Sequence, residues 1–194
     1  MEKIEEKIAD KLSKMILNQS DYSHEDSLKI RYGLSILIVN IAKALALYLV
    51  AILIGSFIPT LVAHVSYCIL RHFNFGFHFE SSTACTLFGI IVFPIATKFI
   101  SLSSATPNIY FHTTICLLLL SLTAIYAPSY TSSLTNRSQW AKRKTIIVTL
   151  LLLTISFFTL HCAVYILWGA LISLLLVVLN VIQLKNGGKK IDRT

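Results

Sequence analysis

CAVYILWGALISLLLVVLNVIQ, residues 162–183, contains no charged side chain. A helix rises ~1.5 Å per residue, so this run alone is long enough to cross the ~30 Å hydrocarbon core of a bilayer. The pattern recurs on moving outward. Five more apolar segments lie at roughly 34–57, 60–71, 83–100, 109–127 and 145–160, joined by short polar links. Over all 194 residues 55% are hydrophobic and only 13% charged, against about 25% charged in a soluble domain. The mean hydropathy is +0.72. These features predict an all-α polytopic membrane protein with six transmembrane helices. The segment at 60–71 is short and carries His64, Ser66 and Cys68, so it reads either as a tilted span or as half of a re-entrant hairpin.

Ahead of the first apolar run, residues 2–19 place Ile4, Ile8, Leu12, Met15 and Ile16 at helical spacing, with Lys3, Lys7, Lys11 and Lys14 around the polar side. This predicts an amphipathic helix, lying in the membrane interface or packed on the domain itself. The first 30 residues are charged and polar, without the short apolar core of a cleavable signal peptide. The expected organisation is an N-terminal interfacial segment at 1–30, a membrane domain at 31–184 and a basic tail at 185–194.

Charge sets the orientation. With six spans and the N-terminus inside, the inside pieces hold 6, 1, 4 and 4 of the 17 Lys and Arg residues, and the outside links hold none. This is a consistent positive-inside solution with both termini cytoplasmic. The net charge of +8 is thus explained by membrane topology. No basic face interleaved with aromatics points to nucleic acid. Lys43, inside the first span, is a costly charge that calls for a partner or a purpose. Cys68, Cys85, Cys116 and Cys162 show no disulfide spacing and are expected to be reduced thiols.

One link stands apart: FGFHFESSTAC, Phe75 to Cys85, gathers a histidine, a glutamate, hydroxyl residues and a cysteine between two apolar runs. His78 and Cys85 are seven residues apart, ~10.5 Å along one continuous helix, too far for a hydrogen bond. They meet only if the chain folds back between them. If Ser82 caps the next span, Cys85 falls in its first turn, where free amides and the helix dipole favour a thiolate. His78 would then lie on the preceding loop, with Gly76 as a flexible backbone point. Glu80 and Asn74 are the candidates for a third, orienting group. Two other readings stay open at this level: a plain structural loop, and a zinc site in which His64, Cys68 and His72, spaced i, i+4, i+8, join His78 and Cys85. The zinc stripe lacks the HExxH arrangement of a metalloprotease. A non-enzymatic peptide transporter is a further alternative, but the last two spans offer little polar lining.

Arg71, Gly76, His78 and Cys85 form R-x4-G-x-H-x6-C, following a short apolar span and opening the next. With the six apolar segments, the Tyr126–Pro128 turn and the basic Lys142, Arg143 and Lys144, this resembles the AgrB family, the accessory gene regulator proteins B of Gram-positive bacteria. The likeness extends over the whole chain. Two departures stand out: Phe77 and Phe79 flank the histidine where the family has small residues, and SYTSSLTNRSQW after the turn lacks the family's proline. The resemblance implies a membrane cysteine endopeptidase that needs no cofactor and acts on an AgrD-type precursor peptide. Cys85 is then the nucleophile and His78 the general base. Arg71, Gly76, Glu80 and Ser82 shape the site, and Lys142, Arg143 and Lys144 attract the precursor's acidic tail. A homodimer is also implied.

Overall fold

The computed structural model describes residues 11, 15, 23–74, 81–103, 108–126 and 138–191. Six long helices follow one another: α1 (His24–Leu53), α2 (Phe57–Phe73), α3 (Ser82–Leu102), α4 (Ile109–Tyr126), α5 (Ser138–Phe158) and α6 (Leu160–Ile191). No strand occurs among the described residues. The all-α expectation therefore holds. Four helices, α1, α3, α4 and α6, are long and apolar enough to cross a membrane. The expected count of six is met only in part, because α2 has 17 residues and α5 opens on Lys142, Arg143 and Lys144. The expected N-terminal amphipathic helix lies outside the described residues apart from Lys11 and Met15.

Local chemistry explains the ends of the first two helices. Ser23 caps α1 by accepting a hydrogen bond from the Asp26 amide, and Glu25 and Asp26 favour the dipole of the first turn. α1 therefore starts ten residues before the apolar run and continues unbroken through residue 30. It ends in a Schellman turn. Gly55 has φ +66°, its amide donates to the Ile52 carbonyl, and the Ser56 amide donates to that of Ala51 at 2.8 Å. α2 can then start immediately, at Phe57.

The bundle is built on α2 and α6, which pack more extensively than any other pair. Gly169 allows the close approach: a Cβ there would collide with the Ala63 carbonyl oxygen and lie 3.0 Å from Ser66 Cβ. In lipid there is little hydrophobic drive between helices, so such small-residue contacts carry the packing. On one side Leu70 of α2 joins Cys116, Leu119, Leu152, Leu153, Leu167 and Leu174 from α4, α5 and α6. On the other, Ala63 joins Leu47, Phe93 and Ile172, wrapped by Tyr48, Tyr67, Phe88 and Trp168. The periphery is apolar, with residues such as Leu45, Leu49, Leu53 and Phe99 exposed as lipid-facing side chains would be.

α3 is interrupted by a π segment, Ile91–Ile95, where Pro94 cannot donate to the helix. Carbonyls of this stretch accept hydrogen bonds from side chains, as suits an apolar solvent. Trp168 Nε1–H donates to Val92 O at 2.8 Å and Ser56 Oγ–H donates to Pro94 O at 3.2 Å. Thr97, fully buried, bonds the Phe93 carbonyl and lies 2.9 Å from Thr60 Oγ1. α3 is thereby anchored to both central helices.

Candidate functional site

The end of α2 meets the start of α5, and α3 begins a few residues further along the chain. α2 brings Arg71 in its last turn and Asn74 as its C-cap; the Asn74 amide donates to the Leu70 carbonyl at 2.9 Å. Asn74 is 4% exposed, and its Oδ1 has no hydrogen-bond partner among the described residues. α5 is tied to the same place by fully buried Thr145, whose Oγ1 donates to the Phe73 carbonyl at 3.3 Å. This satisfies one of the orphan carbonyls at the end of α2. It also sets exposed Lys142, Arg143 and Lys144, just ahead of Thr145, beside the end of α2.

α3 brings the thiol. Its cap is Ser81, not the expected Ser82: Ser81 is extended, at φ −91° and ψ 126°, and its Oγ accepts from the Ala84 amide at 3.4 Å. Ser82 is already helical, and its carbonyl accepts from Thr86 Oγ1. A serine pair gives no sequence signal for which member caps, and the extended backbone of Ser81 decides it. The Cys85 amide makes the first helical bond, to Ser81 O at 3.1 Å. Cys85 is thus in the first turn of α3, as expected, as a half-buried free thiol. The positive end of the helix dipole lies beside it.

Gly76, His78 and Glu80 lie outside the described residues. The described residues on either side of that stretch are Arg71–Asn74, tied to Thr145, and Ser81–Cys85.

Two aromatic residues missed in the sequence shape the α2 side. Tyr67 packs on Phe93 at 5.1 Å between centroids and on His64 at 6.2 Å, within electrostatic reach of Arg71, Cys68 and Cys85. Tyr48 of α1 hydrogen-bonds His64 Nδ1 at 2.9 Å, and His64 Nε2 lies 3.5 Å from Cys68 Sγ. Tyr67 lies four residues before Arg71, hence on the same helix face, which was the one available signal. Of the ligands in the zinc alternative, His78 lies outside the described residues. His64 and Cys68 do meet, but among the described residues no group of three His, Cys, Asp or Glu could hold a metal. His72 turns its ring to the edge of Phe73 instead.

The class these features define is an all-helical protein with helices able to span a membrane and a free thiol opening one of them. The family model described as Accessory gene regulator B matches residues 5–184. The chain is 31% identical over 153 residues to accessory gene regulator protein B of Staphylococcus epidermidis, covering 79% of this chain and 78% of that one. It is 28% identical over 151 residues to AgrB-like proteins of Listeria monocytogenes and Listeria innocua, covering 75% of this chain and 73% of theirs. No solved structure matches. The chain belongs to the accessory gene regulator B family, and so to the accessory gene regulator system of quorum sensing.

Proposed function

We propose that the protein is a membrane-embedded cysteine endopeptidase that processes an AgrD-type signal precursor. The observation that carries this reading is the position of Cys85: first turn of α3, with Ser81 as its cap. The family motif adds His78 as its partner. His78 takes the thiol proton, and the Cys85 sulfur attacks the carbonyl at the C-terminal end of the signal segment. His78 returns the proton to the leaving amine as the acidic tail departs, leaving a thioester on Cys85. A thiol or hydroxyl within the precursor then attacks that thioester. Its proton passes through His78 to the Cys85 sulfur, and a thiolactone or lactone peptide is released.

Thioester exchange is nearly isoenergetic, so cyclisation wins over hydrolysis only where water is excluded. A site at the mouth of a helical bundle, among apolar side chains, meets that need. Lys142, Arg143 and Lys144, held there by Thr145, would attract the acidic tail. Arg71, Gly76, Glu80 and Ser82 shape the site. On this reading all six helices cross the bacterial cell membrane, α2 and α5 included, since both pack along α6. Both termini and the site then face the cytoplasm, and the protein acts as a homodimer.

The test is cleavage of the cognate precursor by purified protein in lipid vesicles, read by mass spectrometry. Wild type and Cys68→Ser should release the acidic tail; Cys85→Ser and His78→Ala should not. Undiminished release by Cys85→Ser would refute the reading.

A further inference from the structure

Lys43 is the only charged residue between Arg31 and the end of α1. It is half-buried and has no ion pair among the described residues. It lies one helical turn before Leu47 and two before Ala51, the two buried residues of α1, while Ile41, Leu45 and Leu49 are exposed. Lys43 is therefore on the inward face.

Two contacts set the register of that face against α3. A Cβ on Gly89 would lie 3.6 Å from Leu47 Cδ1, and one on Gly55 would lie 3.7 Å from Lys98 Nζ. Moving up α1 from Leu47 to Gly55 thus matches moving up α3 from Gly89 to Lys98. The two helices run in the same direction. One turn back from the Leu47–Gly89 contact, α1 presents Lys43 and α3 presents Cys85. The Tyr48–His64 hydrogen bond fixes the rotation of α1 against α2 just above this level. The other titratable groups brought to this side among the described residues are Tyr48 on α1 and His64, Tyr67, Cys68 and Arg71 on α2. No carboxylate is among these described groups. An unpaired ammonium facing the positive end of α3 is unfavourable unless negative charge develops between them.

We propose that Lys43 is the counter-ion of the Cys85 thiolate, stabilising negative charge on sulfur before attack and on the substrate carbonyl oxygen as the tetrahedral centre forms. This rests on the peptidase reading for its second half and on geometry alone for its first. The charge-bearing sulfur would sit between an ammonium from α1 and the amides of the α3 first turn. The arrangement needs no third side chain from residues 75–80.

The experiment measures two things on the same proteins in vesicles. One is the rate of iodoacetamide alkylation at Cys85, resolved by peptide mass spectrometry between pH 6 and 9. The other is kcat/KM for precursor cleavage. Lys43→Met removes the charge and keeps the length; Lys43→Arg keeps the charge. Lys43→Met should slow Cys85 alkylation about tenfold at pH 7, recovering only at higher pH. It should lower kcat/KM about a hundredfold, the scale of losing one stabilising donor from an oxyanion site. Lys43→Arg should restore most of both, and alkylation of Cys162 should not change. Wild-type alkylation of Cys85 in Lys43→Met would overturn the proposal, even if cleavage fell, since the role would then be structural. Slowed alkylation in Lys43→Met, together with full cleavage by Cys85→Ser, would refute the peptidase reading and leave the Lys43–Cys85 pairing standing.

Discussion

Gly169 offers a sharp test of the packing that positions the site. Replacing it with Ala adds one methyl group against the backbone oxygen of Ala63, with Ser66 Cβ and the Tyr67 amide each 3.0 Å away. A backbone carbonyl in a helix cannot rotate aside, so α2 and α6 must separate along their main interface. Overpacking of this kind costs about 1–3 kcal/mol, and the rigidity of the obstacle puts this case near ~3 kcal/mol. The intrinsic preference of a helix for Ala over Gly returns ~1 kcal/mol. The net expectation is a destabilisation of about 2 kcal/mol. Gly33 supplies the control: it lies in α1 with nothing within 4 Å of its Cβ position. Gly33→Ala should be neutral or stabilising by up to ~1 kcal/mol. The assay is reversible unfolding of each variant in mixed micelles by titration with a denaturing detergent, followed by Trp fluorescence. Trp168, next to Gly169, reports the interface directly. Equal stability of Gly169→Ala and wild type would refute the close-packed α2–α6 pair.

Other perturbations separate local from functional effects. Ser81→Ala removes the α3 cap and should cost about 1 kcal/mol in the same unfolding assay, while slowing alkylation of Cys85 by loosening its turn. Trp168→Phe deprives the Val92 carbonyl of its donor inside the bundle and should cost about 1–3 kcal/mol in unfolding. Thr145→Val keeps the shape of the side chain but cuts the tie between α5 and the end of α2. About 1 kcal/mol of stability should go, and precursor KM should rise severalfold with kcat little changed if the basic run binds the tail.

What the sequence revealed follows from where each signal resides. Hydropathy over long windows placed α4 and the start of α6 within a few residues, because an uncharged run near 162–183 has no other stable solution in lipid. It placed the start of α1 ten residues late, because the cap at Ser23 and the acidic first turn extend the helix into polar sequence. The Schellman turn at Gly55 starts α2 earlier than the apolar pattern implied. The π segment at Pro94 left no trace in hydropathy, since widening a helix changes its hydrogen bonds and not its composition. At the site, the position of Cys85 in a first turn was readable from the serine-rich stretch before it. Choosing Ser81 over Ser82 required the backbone. The contributions of Tyr48 and Thr145 were invisible because each depends on a contact between helices distant in sequence, and Tyr67 was signalled only by its spacing from Arg71.

The most direct measurement on the central claim is intact-mass spectrometry of the protein quenched in acid during turnover of its precursor. Thioester chemistry on α3 predicts an adduct equal to the precursor without its acidic tail, mapped by fragmentation to Cys85 and removed by neutral hydroxylamine. It should be absent in Cys85→Ser and accumulate when the precursor's own ring-closing nucleophile is replaced by Ala. An adduct on Cys68, or tail release with no thiol-linked species in that blocked precursor, would contradict the account.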